Sequence, residues 1–461
     1  MRAETRAEQR TFGFLDHVAL WGSLGVTLYI MPFGSLVVPA LSLEQAFLAV
    51  VVAALLGGLI MAGVAAIAAH TGLSTVGLLA QLLGRRFTPL LATLLLVRNV
   101  VWAALALSLI AGSAELVSDR ALGAGLRPLW VVVFGVAGLA LVAAGPQFTV
   151  RKLLRRAGLW LALLVAAVVT LSAYMEFEFP AYLRRPAVGG WPSFWQAVDV
   201  MLIVPLLWLP LVADYARWGK SVGSSFGGTF LGLFVATAWL GLLGVAYLPA
   251  VETGDISGFV VGMQLGLAAL VILLLLQTDE VFANVHSAGV ALGSVLPVGR
   301  WAGVLIPGLA ALALALPLDF LEFEATLLLL ASLFVPLFGV LMADFLQSRG
   351  ATQPAAAPSA LAAWALGFLL YHWISPTEVG WWQDAMSWLF ADALHLPFPL
   401  TDEVTWLGAA IPSFLAGFAA HLIGKPALIG LRRPGAGPGH SRSRPTSPSP
   451  RARRTRFAGR R

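Results

Sequence analysis

Windows of about twenty apolar residues recur along nearly the whole chain, with only short polar connectors between them. Inside hydrocarbon every backbone N–H and C=O must find a partner within the protein. Such windows therefore have to be α-helices that cross a bilayer. Candidate spans lie at about 17–40, 44–69, 89–117, 128–146, 153–175, 193–216, 224–249, 260–293, 298–318, 325–347, 358–375 and 405–425, which makes twelve.

The 461 residues are 59% hydrophobic and 11% charged, so the sequence predicts one polytopic all-α bundle rather than two or three soluble domains. Cysteine is absent, which excludes disulfides, thiolate zinc sites and cysteine nucleophiles. No phosphate-binding GxxxxGK[ST] loop, HExxH pair or GxSxG elbow occurs, and the 7 histidines show no ligand spacing within one helix. ATP-driven transport within this chain, hydrolysis and metalloenzyme chemistry are thereby disfavoured. An enzyme is not expected.

The net charge of +6 sits in tails and short loops, the pattern of an oriented membrane protein rather than of a nucleic-acid binder. With a cytoplasmic amino terminus, the inner side receives Arg85, Arg86, Arg151, Lys152, Arg155, Arg156, Arg217, Lys220, Arg300, Arg349, Lys425, Arg432 and Arg433. The outer loops keep Arg120, Arg127, Arg184 and Arg185 beside many acids. An even number of spans then returns the carboxyl terminus to the cytoplasm, with the protein in the cell membrane. Arg2, Arg6 and Arg10 precede a first apolar segment long enough to span, so no cleavable signal is expected. The stretch 376–404, with Trp381, Trp382, Trp388 and Phe390 among acids, reads as an outer interfacial amphipathic helix. From residue 431 the chain is rich in Pro, Gly, Ser and Arg and cannot form a core; weak attraction to anionic lipid is its expected effect.

The eighth window breaks the apolar rule. In VILLLLQTDEVFANVHSAGVA (271–291) the aliphatic run gives way to Gln277, Thr278, Asp279, Glu280, Asn284, His286 and Ser287. A charge at mid-membrane costs roughly 2.5–3.5 kcal/mol even on mild insertion scales, so an acidic pair marks a pathway or a site. Helical geometry puts Asp279, Ala283 and His286 on one face and Glu280, Asn284 and Ser287 on the next. The first span holds Gly22, Gly25, Pro32 and Gly34, and the sixth holds Pro205 and Pro210 around Trp208, so both backbone ladders are easily interrupted. Two breakable helices five spans apart fit an inverted repeat of five plus five helices, with a site between the breaks. The third span buries Arg98 and Asn99 ahead of Trp102. Arg98 either snorkels to the cytoplasmic side or pairs with Asp279 or Glu280.

Three stretches, WLPLVADYARWGK (208–220), TDEVFANVHSAG (278–289) and VLMADFL (340–346), together with HTGLS (70–74), resemble the purine/cytosine permeases of the nucleobase:cation symporter family. The first two stretches are most similar to its hydroxymethylpyrimidine (thiamine precursor) permease branch. The resemblance runs from about residue 14 to 350, and the last two spans add nothing specific to it. It implies a LeuT-like fold and symport, by alternating access, of a nucleobase-like heterocycle such as hydroxymethylpyrimidine, cytosine or a purine. The divisions expected are a tail at 1–13, a ten-helix inverted-repeat transport core at 14–347, two further spans with the outer amphipathic segment at 348–430, and a basic tail at 431–461.

The resemblance also implies a site. Trp102 matches a tryptophan that stacks on the ring, and Asn284 matches the amide of the eighth span. Ala106 stands where a polar amide is usual. Thr27, Pro205 and Trp208 flank the helix breaks as substrate-binding candidates, although the aromatic expected at the sixth-span break aligns nearer Pro205. Sodium ligands are expected from the carbonyls of Ser23 and Val26 and from two eighth-span hydroxyl positions, occupied by Thr278 and Asp279. The second is a carboxylate, so either sodium or a proton is the expected coupling ion. No other cofactor is expected, and the functional unit expected is a monomer in lipid. The competing reading is a LeuT-fold transporter of an amino acid or other small solute, which would need a free helix terminus for a carboxylate and would not need Trp102.

Overall fold

A computed structural model describes residues 10–27, 30–176, 186–247, 260, 266–317, 320–348, 357–375, 379–396 and 408–431. The described chain is helical apart from an isolated bridge between Phe12 and Gly219. The first span is broken into α1 (Phe14–Gly25) and α2 (Ile30–Ser35); α3 (Leu43–Thr71), α4 (Thr75–Leu83), α5 (Thr88–Leu122) and α6 (Arg127–Ala144) follow. A wide-turn stretch at Thr149–Gly158 leads into α7 (Leu159–Glu176), and the sixth span is broken into α8 (Phe194–Leu206) and α9 (Leu209–Ala216). Then come α10 (Val222–Tyr247), α11 (Gly266–Val295), α12 (Arg300–Ala315), α13 (Phe320–Ser348), α14 (Ala357–Ile374), α15 (Gly380–Ser387) and α16 (Ala410–Leu431).

Helices thus stand at all twelve expected spans. Six are long and apolar enough to cross a bilayer unaided, and the α8–α9 pair, bent by 41° at its break, makes a seventh. Local sequence explains the ends. Ser42 and Gln45 form a capping box at the start of α3, while Gly72, at φ 72°, closes it in a left-handed turn that a side chain would strain. Within the stretch read as an amphipathic helix, α15 is followed by a wide-turn segment at Trp388–Ala393, with Trp381 and Trp388 exposed; residues 376–378 and 397–407 lie outside the described residues, as does the tail from 432.

Three groups of helices pack together. The broken spans form the first with α3 and α10, and α1 meets α10 along a stripe of small residues, Gly228, Gly232 and Ala236. A Cβ on Gly232 would lie 2.7 Å from the Val18 carbonyl oxygen and 2.9 Å from the Gly22 nitrogen, so α1 and α10 meet backbone to backbone. The second group is the mutual packing of α5, α6, α11 and α12; the third joins α13, α14 and α16. The amides of Thr11 and Phe12 donate to the Trp218 carbonyl at 2.9 Å, and the Lys220 amide donates to the Phe12 carbonyl at 2.8 Å. The beginning of the first span therefore lies beside the end of the sixth. The two broken spans run in opposite directions, as inverted repeats require.

Candidate functional site

The polar face of α11 points into the seam between the first two groups. Gln277, Thr278, Asp279, Glu280 and Asn284 are all buried. Opposite them on α5, Arg98 and Trp102 are one turn apart and share a face. Arg98 is buried and does not snorkel, which corrects that reading; among the described residues it has no ion pair within 4.0 Å to an acid of α11, but Glu280 lies within electrostatic reach of it. Its guanidinium is 3% exposed, and Nη1 donates to Asn99 Oδ1 at 2.7 Å and to Asn284 Oδ1 at 3.0 Å. Nη2 donates to the carbonyl of Leu207, the residue at the break between α8 and α9. The guanidinium carbon also lies 5.2 Å from the centre of the Trp102 ring, within cation–π range.

The orientation of the Asn284 amide follows from its other half. Nδ2 donates to the Glu280 carbonyl at 2.9 Å within α11, which leaves Oδ1 to face Arg98. Trp102 packs with Leu105, Leu207, Val101 and Ile203 in a small apolar cluster of its own. Trp208 belongs instead to the main core, with a buried indole N–H that has no hydrogen-bond partner among the described residues. The break thus presents Leu207, not Trp208, to Trp102. Pro205 is turned toward α3, where a Cβ on Gly57 would meet its ring at 2.4 Å. That close approach explains why the bend starts just beyond the proline.

Of the four expected cation ligands, two are brought together. Ser23 at the end of α1 donates its hydroxyl to Asp279 Oδ2 at 2.5 Å. The contact uses the serine side chain, whereas the sequence pointed to its carbonyl, which accepts the Val26 amide at 3.0 Å. Thr278 donates its hydroxyl to the Leu274 carbonyl at 3.3 Å inside its own helix. Thr27 is buried and its hydroxyl faces the Glu280 carboxylate, whose two oxygens are buried without a fully formed hydrogen bond. Glu280 is also within electrostatic reach of Arg98 and Asp279.

One contributor lies outside the sequence reading of the site, the Leu207 carbonyl. Arg98 and Glu280 stand out in the sequence as charges in apolar runs, but their neighbours do not. A carbonyl freed by a helix break leaves no signal beyond the break itself. His286 sits among Tyr215, Trp218 and Phe282 as part of an aromatic cluster, with ring centres 5.3, 5.6 and 6.3 Å away. Tyr215 donates its hydroxyl to the Ala283 carbonyl at 3.0 Å and so fastens α9 to α11.

The same fold occurs in proteins of known structure. Mhp1, a nucleobase-cation-symport-1 family transporter in a closed conformation with bromovinylhydantoin bound, is similar over 93% of this chain and 94% of its own, with a TM-score of 0.68 and 19% identity. The inward-facing conformation of Mhp1 gives a TM-score of 0.69 at 17% identity over 93% of each chain. A Na+-coupled sialic acid symporter in a substrate-bound outward-open state matches with a TM-score of 0.54 at 13% identity, over 92% of this chain and 91% of its own. At such identities the likeness shows the fold, and it is the expected transporter fold with broken first and sixth helices. No curated protein sequence matches the chain. The family model described as permease for cytosine/purines, uracil, thiamine, allantoin matches residues 5–391, most of the 461-residue chain. The chain is a multi-pass membrane protein and a member of this permease family, whose members are transporters and not enzymes.

Proposed function

We propose that this permease imports a flat nitrogen heterocycle of the nucleobase type, such as hydroxymethylpyrimidine, cytosine or a purine, by cation-coupled alternating access. One observation carries the reading. A planar group edged with N–H donors, the Arg98 guanidinium, lies over the Trp102 ring and donates both to Asn284 Oδ1 and to the carbonyl at the sixth-span break. A seat of that shape and polarity suits the amino edge of a heterocycle, which has the same flatness and the same donors. Loading then displaces Arg98, and Glu280 is the counter-charge that receives it.

The coupling cation is assigned to Asp279, with the Ser23 hydroxyl as its companion. This contact joins the broken first span to α11, so binding there biases the spans that must move. A buried carboxylate beside a hydroxyl can hold sodium as an anion or carry a proton. Both termini are assigned to the cytoplasm, from the loop-charge asymmetry. Single cysteines at Ala124 and Gly437 of this cysteine-free chain check that orientation: an impermeant thiol reagent outside the cell should label the first and spare the second, and the reverse would invert the topology.

Substrate binding to purified protein tests the seat. Trp102→Ala and Asn284→Ala should each weaken binding of an aminopyrimidine by roughly 10-fold, from a lost stacking face and a lost acceptor. Arg98→Ala should strengthen it, because the internal competitor is gone. A loss on Arg98→Ala equal to that on Trp102→Ala would make Arg98 a direct ligand. Uptake of an amino acid, with no binding across a panel of bases, hydantoins and thiamine precursors, would overturn the substrate class.

A further inference from the structure

The leading end of the fifth span carries Arg151, Lys152, Arg155 and Arg156 around a hollow bordered by Trp160. One acid answers these four cations. Asp16 of α1 pairs with Arg155 at 3.2 Å and stands 3.9 Å from Arg151, while Lys152 and Arg156 have no acidic partner among the described residues. The charge excess sits where the chain meets the membrane. Trp160 and Leu164, one turn apart, are 65% and 52% exposed, so this flank of α7 faces lipid.

The same helix continues into an apolar groove. From Lys152 and Arg156, steps of three or four residues lead to Trp160 and then to Leu163 of the groove lining, so the two bases without an acidic partner lie along a stripe that reaches the groove. The groove has a volume of about 210 Å³ and an almost wholly apolar lining that includes Val26 of the first-span break and Trp239 of α10. A cationic rim opening onto an apolar channel, on a lipid-facing surface, matches an amphiphile with an anionic head.

We propose that this face binds one anionic phospholipid, its phosphate on Lys152 and Arg156 and one acyl chain in the groove against the first-span break. Charge complementarity selects the head, since the cluster holds four cations against one carboxylate. The groove selects a lipid over a free phosphate. Its place has a consequence for transport. Val26 lies three residues from Ser23, so a bound chain packs against the segment that carries the Ser23–Asp279 contact.

Native mass spectrometry of the full-length protein, released from detergent with defined phosphatidylglycerol and phosphatidylcholine, tests this site. Wild type should retain phosphatidylglycerol preferentially. Lys152→Gln with Arg156→Gln should reduce that retention by roughly 30-fold, the effect of two interfacial charges. Val235→Trp, at the exposed rim of the groove, should reduce retention of both lipids while leaving substrate binding and thermal midpoint near wild type. Equal retention of the two lipids by wild type, or a phosphatidylglycerol preference that survives the double charge variant, would overturn the proposal. So would unchanged phosphatidylglycerol retention in Val235→Trp, because headgroup attraction without a seated chain predicts that result.

Discussion

Asp344 and the Asp279–Glu280 pair are acids within the same apolar bundle, yet they are partnered in opposite ways. Asp344 Oδ1, near the end of α13, receives Lys425 Nζ at 2.6 Å and lies 3.1 Å from His421 Nε2, both on α16. Asp199, which is buried, is equally complete: it accepts the first amides of α16, Ala410 at 2.9 Å and Ile411 at 3.0 Å. Each fastens one element to another with partners the fold itself supplies. On α11, Asp279 has one hydroxyl and Glu280 has two buried oxygens without a formed hydrogen bond. Since an incompletely partnered buried acid is expensive, we infer from its place beside Arg98 and a helix break that these groups exchange partners during a cycle. Burial and charge do not separate the two kinds of acid; completeness of partnering does.

The largest effect that would sharpen this contrast is expected at Glu280. Glu280→Gln removes the counter-charge that receives Arg98, and substrate-driven transport should fall by at least about 30-fold, the scale of truncating one partner of a buried charge pair. Arg98→Gln added to that variant should restore part of the substrate binding, since no buried cation is then left over. A double variant as impaired as Glu280→Gln alone would mean that the two charges act independently. A smaller and different effect is expected at Asp344. Asp344→Asn should lower the thermal midpoint by on the order of 5 °C through loss of the Lys425 pair, with the cation dependence of transport unchanged. A shift in cation dependence there would erase the distinction between fastening acids and working acids.

Much of this architecture is legible in the residue order. Helices stand in all twelve apolar windows because lipid leaves the backbone no other arrangement, and Gly and Pro mark where the first and sixth give way. The acidic pair of α11 announces itself by standing in hydrocarbon. Its neighbours do not, because they come from far along the chain: Ser23 meets Asp279 across 256 positions, and Arg98 meets Asn284 across 186. The resemblance points to the Ser23 carbonyl as a cation ligand, whereas the contact with Asp279 uses its hydroxyl. The carbonyl accepts the Val26 amide. Trp208 misled for a related reason. One residue of helical rotation at a break exchanges Leu207 for Trp208 against Trp102, and only packing fixes that angle. The partners of Asp344 lie on α16, in a region where the sequence offered nothing specific.

The central claim is that Asp279 couples cation movement to substrate movement through its contact with Ser23. Uptake into liposomes containing purified wild type or Asp279→Asn, under an imposed sodium gradient and separately under an imposed pH gradient, tests it most directly. The account predicts that whichever gradient drives accumulation in wild type no longer does so in Asp279→Asn, while exchange of substrate between equal pools persists. If the sodium gradient is the one lost, the carboxylate holds sodium; if it is the pH gradient, the carboxylate carries the proton. Unchanged gradient-driven accumulation in Asp279→Asn would contradict the claim and return Asp279 to the class of fastening acids.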